Sequence, residues 1–180
     1  MTINYSSVPP EQSGTVVALF TEVFAASEGE AEGRIIGDLV SRLIEQTPAQ
    51  DLIGCYAYDE DRLIGSVLFS RFGLPQDKTA FLLSPAAVST THQRSGIGQQ
   101  LISYGLNCLK AMDVAFAFTY GDPAFYAKVG FEPISEDIVA APFKLSYPFG
   151  WVGQSLGEHA LEPMPGATNC VAALSDPKYW

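Results

Sequence analysis

Residues 93–98 read Gln-Arg-Ser-Gly-Ile-Gly, and an apolar pattern of helical period follows them. The start of a helix presents unpaired backbone N–H groups and the positive end of its dipole. Glycines let an anion approach those amides closely. The stretch is therefore suited to hold a phosphate. Three phosphate readings compete. A Walker loop needs G-x-x-x-x-G-K-[ST], and the chain contains no such string. A dinucleotide fingerprint needs a third glycine or alanine, but Gly96-Ile97-Gly98-Gln99-Gln100 runs into Leu101. The third reading is coenzyme A, with its pyrophosphate on this loop.

Other groups able to do chemistry are few. The 180 residues hold two histidines and three cysteines, Cys55, Cys108 and Cys170, with no C-x-x-C pair. No metal site is expected, and reduced thiols are the default. His92 and Arg94 lie in or beside the glycine loop, where either could meet a phosphate. Cys108 falls on the helical spacing and reads as core. Glu28, Glu30 and Glu32 cluster in the acidic stretch 26–33.

The elements that must position these groups can be read from periodicity. Residues 10–25 and 34–46 read as two amphipathic helices, joined by a glycine-containing hinge over 26–33 and ended at Thr47-Pro48. Residues 51–58 and 62–72 read as strands, with 59–62 as a hairpin turn, and 79–89 as a third strand. The glycine loop opens a helix over 96–111, and 113–120 reads as a strand buried on both faces. Residues 122–130 form a short helix with Pro123 in its first turn and Gly130 as its stop; 131–134 is a strand. Residues 143–147 and 158–164 are candidate late strands. The order predicts an α/β (α+β) domain with a mixed, mostly antiparallel sheet flanked by helices.

Composition bounds the function. A length of 180 residues with 47% hydrophobic content and mean hydropathy +0.13 predicts one folded domain, 1–180. The net charge of −10 repels phosphate backbones and argues against DNA or RNA as partner. No stretch approaches the ~20 apolar residues of a membrane helix, and the first residues lack the basic and apolar regions of a secretory signal. A cytoplasmic protein is expected.

Two stretches carry a family resemblance. Residues 87–102, AVSTTHQRSGIGQQLI, resemble the acetyl-CoA signature of the GNAT superfamily of N-acetyltransferases, [QR]-x-x-G-x-[GA], with Gln93, Gly96 and Gly98 at the defining positions. Residues 121–131, GDPAFYAKVGF, resemble its later motif, a tyrosine on a short helix before a Gly-Phe pair. The likeness covers roughly residues 50–134, and the chain is similar in particular to a bacterial YhbS-like subgroup. The resemblance implies a twisted sheet whose central strands, around Pro85 and over 114–119, splay apart to take the pantetheine arm. It implies backbone contacts to acetyl-CoA at Ala86 and Val88, and a pyrophosphate cradle from Arg94, Ser95, Gly96, Ile97, Gly98 and Gln99. It makes Tyr126 the candidate catalytic acid and places Glu28 and Glu30 near a small-molecule or protein amine acceptor. Asp122 stands where the family often has asparagine, and reads as a helix cap. The strand before the loop carries no carboxylate, so the expected side-chain base is missing from it. A non-catalytic acyl-CoA sensor on the same fold is therefore the rival reading. The closing Lys178-Tyr179-Trp180 is assigned either to packing on the sheet or to a homodimer contact.

Overall fold

The structure, a computed structural model, describes residues 2–180. They group into two compact units. The first runs to Phe69 and resumes over Pro85–Gly105; the second comprises Ser70–Ser84 and Leu106–Trp180. Seven strands hydrogen-bond in the order β1-β2-β3-β4-β5-β7-β6. They are β1 Ile3–Ser6, β2 Leu52–Asp59, β3 Arg62–Phe72, β4 Ala80–Val88, β5 Phe116–Tyr120, β6 Glu132–Pro133 and β7 Trp151–Ser155. The pairs β1–β2, β5–β7 and β6–β7 are antiparallel, and β4–β5 is parallel. This is the mixed, mostly antiparallel sheet that the element order predicts.

In the first unit, α1 (Ser13–Glu28) and α2 (Glu30–Gln46) bury Val16, Leu19, Phe20 and Val23 on one helix and Ile36, Leu39, Val40 and Leu43 on the other. The expected hinge over 26–33 is almost entirely helical. The break is Gly29 alone, whose φ of +101° lies where L side chains are strained. Its N–H bonds Ala25 O at 3.0 Å, closing α1. Ile35, expected on the apolar side of α2, is exposed. The two helices approach closely because α2 presents glycines. A Cβ on Gly33 would lie 2.6 Å from Thr21 O, and one on Gly37 would lie 2.2 Å from Thr21 Oγ1. The start of α3 (Ile97–Ala111) packs over β2 and β3: a Cβ on Gly105 would lie 2.3 Å from the Phe69 ring. Tyr5 on β1 donates from its hydroxyl to Gln100 Oε1 at 2.7 Å and stacks on Tyr104.

In the second unit, β5 is buried on both faces, with Phe116, Ala117, Phe118 and Thr119 all covered. Phe118 stacks on Trp151 of β7 with centroids 5.6 Å apart, and Phe72 packs on both rings. The expected strands at 143–147 and 158–164 are not strands. Their apolar side chains are taken up by loops: Ser146 N–H bonds Trp180 O at 3.1 Å, and Met164 N–H bonds Ile138 O at 2.8 Å. The sheet is instead completed by β7, which the sequence reading omits. Trp180 is buried, stacks on Tyr120 and donates its indole N–H to Leu174 O. Just past α3, Met112 is exposed; on the helix Cys108 is only half-buried, and Leu109 is the fully covered residue of that turn.

Gly33→Ala sets two effects against each other. Alanine is favoured over glycine in a helix by about 1 kcal/mol, while forcing a methyl into a packed contact costs about 1–3 kcal/mol. The close neighbour here is backbone oxygen, which cannot rotate away. The net cost is expected to be up to about 2 kcal/mol, read as a lower urea midpoint at unchanged m-value.

Candidate active site

The glycine loop sits where the sequence places it, between β4 and α3. Gln100 N–H makes the first intrahelical bond, to Gly96 O at 3.0 Å. The amides of Ile97, Gly98 and Gln99 therefore have no partner within the helix. Gly96 has φ +82°, and a Cβ built there meets nothing within 4 Å. The space beside Gly96 is open. Arg94 also has positive φ, +61°, and its side chain is exposed. Ser95 donates from its hydroxyl to His92 O. Gln93 Nε2 donates to Val88 O at 2.9 Å, fixing the loop to the strand that feeds it.

The strand itself changes character midway. The parallel register pairs Ala80 with Phe116 and ends at Leu83 with Thr119. Beyond Leu83, β4 continues through Pro85 to Val88 with no β5 partner in that register. Proline brings no N–H to a ladder. Ala86 and Val88 lie in this half, both half-buried.

Tyr126 lies on α4 (Pro123–Ala127) in the second unit. Asp122 caps that helix, accepting from Ala124 N–H at 3.0 Å, as expected. The Tyr126 ring packs edge-on against Phe125 and Phe131. It also lies over Gly121, where a Cβ would come within 2.8 Å of Cε2. Gly121 is thus a packing requirement. Burial raises the Tyr126 pKa above the ordinary phenol value; Thr119 beside it lowers it, and the Asp122 charge raises it. The phenol is held protonated at neutral pH, the state an acid needs.

Glu28 and Glu30 flank Gly29 at the α1–α2 corner, both exposed. Neither lines the cavity of about 440 Å³ in the first unit; its carboxylates are Glu22 of α1 and Asp61 of the β2–β3 hairpin, beside Arg62, Ser89 and Thr90. The sequence reading also missed two features of the site region. His92 Nε2 lies 3.4 Å from Asp59 Oδ2, a pairing across 33 positions that no local pattern signals. Tyr147 and Phe149, 55% and 75% exposed, form an edge-to-face pair next to Gly150, whose carbonyl accepts from Gly121 N–H. Among the described residues no group of three or more His, Cys, Asp or Glu could hold a metal, and no helix is long and apolar enough to cross a membrane.

Residues 51–133 match the model of the acetyltransferase (GNAT) domain. The chain is 31% identical over 138 residues to the uncharacterized N-acetyltransferase YjhQ of Escherichia coli K12, covering 71% of this chain and 76% of that protein. It is 30% identical over 107 residues to the uncharacterized N-acetyltransferase YhbS of the same strain, where the match spans 58% of this chain and 60% of the relative's length. The fold is shared with the crystal structure of E. coli YhbS in complex with CoA, at TM-score 0.80 and 24% identity over 97% of this chain and 92% of that one. It is shared too with a GNAT family acetyltransferase of Brucella melitensis in complex with acetyl-CoA, at TM-score 0.73 and 20% identity over 97% and 99%.

The raised phenol is open to titration. Absorbance at 295 nm, taken as parent minus Tyr126→Phe, isolates it from the other tyrosines, including Tyr56, which burial pushes up to about 12. Tyr126 is expected to ionise above 10. Asp122→Asn keeps a capping side chain but removes its charge, so the phenol should ionise at lower pH than in the parent, still above 10 because burial is the larger cause. The folded value exceeds the unfolded one. The stability it contributes is therefore full below pH 10 and is lost as pH rises through the folded value.

Proposed function

Because the chain belongs to the GNAT family of acetyltransferases, we propose that it transfers an acetyl group from acetyl-CoA to a primary amine, by direct attack in a ternary complex. The observation that carries the reading is the open, amide-lined start of α3, fed by a strand half that β5 does not pair. The residues present fit the donor. Amides over Arg94, Ser95, Gly96, Ile97, Gly98 and Gln99 receive the diphosphate. Main-chain groups at Ala86 and Val88 receive the pantetheine amides, as an added strand would. Gln93 already occupies Val88 O, so the second lone pair or the N–H of Val88 serves the arm.

The amine must be neutral to attack. Removing the proton from a lysine-like amine of pKa ~10.4 at neutral pH costs about 4–5 kcal/mol. No carboxylate stands on β4. In this reading Glu28 and Glu30 draw in the cationic acceptor and pass its proton to water. A net charge of −10 favours a cationic acceptor, whether a free small molecule or a protein amine. The C–N bond then forms as the C–S bond breaks, with a backbone N–H near Ala86 serving the oxyanion. Tyr126 protects the departing sulfur. A raised phenol is a weaker acid than a thiol of pKa ~8.5, so it hydrogen-bonds the thiolate and passes a proton on only as the new amide nitrogen releases one. Protons balance: a neutral amine and a thioester give an amide and a thiol.

The missing strand carboxylate favours one second reading, a sensor that binds acyl-CoA without turnover. A panel of amines assayed for release of free CoA separates the two. A transferase should release CoA only with an amine present. Tyr126→Phe should then lose on the order of 10²-fold in kcat with the Kd for acetyl-CoA unchanged. Gly96→Glu, which puts a carboxylate into the open space above the amides, should abolish donor binding. Binding of acetyl-CoA with no amine-dependent release, indifferent to Tyr126→Phe, would establish the sensor.

A further inference from the structure

The donor reading uses the amides of residues 94–99. It leaves unexplained the side chains that hold those amides in place. His92 ends a short 3₁₀ turn, Thr90–His92, immediately before the loop. Its Nε2 lies 3.4 Å from Oδ2 of Asp59, the last residue of β2. Its Nδ1 lies 2.9 Å from Thr91 Oγ1, which lies 3.1 Å from Ser89 Oγ. The His92 main chain is fixed as well: its N–H donates to Ser89 O at 2.8 Å, and its carbonyl accepts from the Ser95 hydroxyl. Ser89 N–H in turn donates to Ile64 O on β3 at 2.7 Å. One imidazole therefore ties the β2–β3 hairpin to the loop.

The chain of donors is complete in both charge states of the ring. A carboxylate only accepts, so Nε2 carries a hydrogen toward Asp59. In the neutral ring Nδ1 accepts from Thr91. In the charged ring Nδ1–H donates to Thr91 Oγ1, and Thr91 turns its own hydrogen to Ser89. Only the charged ring makes an ion pair with Asp59 and sets a positive charge at the foot of the loop. The pair is sheltered, with side-chain exposures of 14% for His92 and 31% for Asp59. The other charged groups on the surrounding elements are Glu60, Asp61 and Arg62 of the hairpin, Arg94 of the loop, and Glu22 of α1, which shares a cavity with Asp61, Arg62, Ser89 and Thr90.

We propose that Asp59 and His92 are positioning residues for the donor's diphosphate: the pair holds the loop in its binding shape. The proposal rests on the donor reading above. A loop already shaped for its ligand binds it with less ordering cost.

The test is calorimetry with CoA on the parent chain, Asp59→Asn, His92→Gln and the double variant. Each single variant should bind CoA roughly fivefold more weakly than the parent. The double variant should bind no worse than either single one, since the two residues act as a unit. With acetyl-CoA, KM should rise while kcat holds. Near-ultraviolet circular dichroism confirms that each variant is folded, and Asp59→Asn keeps the shape of the side chain. Parent-like affinity in either folded single variant would overturn the positioning role while leaving the donor reading intact. Absence of binding heat in the parent would overturn both.

Discussion

Between β4 and β5 the parallel ladder joins four residue pairs and stops at Leu83 and Thr119. Thr119 spends its hydroxyl on Leu83 O at 2.8 Å, so the last carbonyl of the paired stretch is sealed. Pro85 follows two residues later and offers no N–H to any partner. A strand that loses its neighbour in mid-course leaves backbone groups that must find other partners. One of them, Val88 O, accepts from Gln93 Nε2. Unpaired backbone in a half-buried strand is a ready template for an extended amide-bearing ligand. The glycine loop then follows directly, with its own free amides. Between strand and loop the turn Thr90–His92 has its own bonds, Ser89 N–H to Ile64 O and His92 N–H to Ser89 O, so the proposed donor contacts lie on either side of a fixed corner.

Much of this was legible because it is local. Gly96 marks the turn that opens α3, with φ +82°, and Pro85 falls just past the end of the β4–β5 pairing. Pro123 and Asp122 mark a helix start. β3 was placed at its observed bounds, Arg62–Phe72, since its apolar run is bracketed by a turn at each end. The hinge at 26–33 was misread because acidic residues and glycines are turn-like on average; here Glu30 and Glu32 instead occupy the first turn of α2, where negative charge suits the helix dipole. β7 was missed because it contains Gly153 and follows Pro148 and Gly150, residues that argue against a strand. Gly153 is there for a tertiary reason: a Cβ would lie 2.8 Å from the Phe118 ring on β5. The alternation at 143–147 is real, but those side chains serve a loop closed by Tyr120 and Trp180 rather than a ladder.

The electrostatic setting of the loop is unusual for the diphosphate site proposed there. The chain carries twenty acidic residues against ten basic ones, and the hairpin nearest His92 contains Asp59, Glu60 and Asp61. Attraction at long range cannot recruit a polyanion to such a surface. Affinity must come from short-range donors in fixed positions, which is what free helix amides and a braced loop provide. Arg94 fits the same logic. A non-glycine residue with φ +61° is strained, and the bonds of Gln93 and Ser95 on either side of it hold that conformation in place.

The order β5-β7-β6 has a consequence for how the molecule is made. The chain leaves β5, forms α4 and β6, and then returns after an irregular stretch to insert β7 between them. Until Trp151–Ser155 has been synthesised, β5 shows a bare edge and β6 has nothing to pair with. A nascent chain at that stage exposes Phe116 and Phe118 beside unpaired backbone, the combination that recruits other chains. Assembly of this half must wait for a late wedge, so its yield in a cell should depend on chaperone supply and growth temperature more than its final packing suggests.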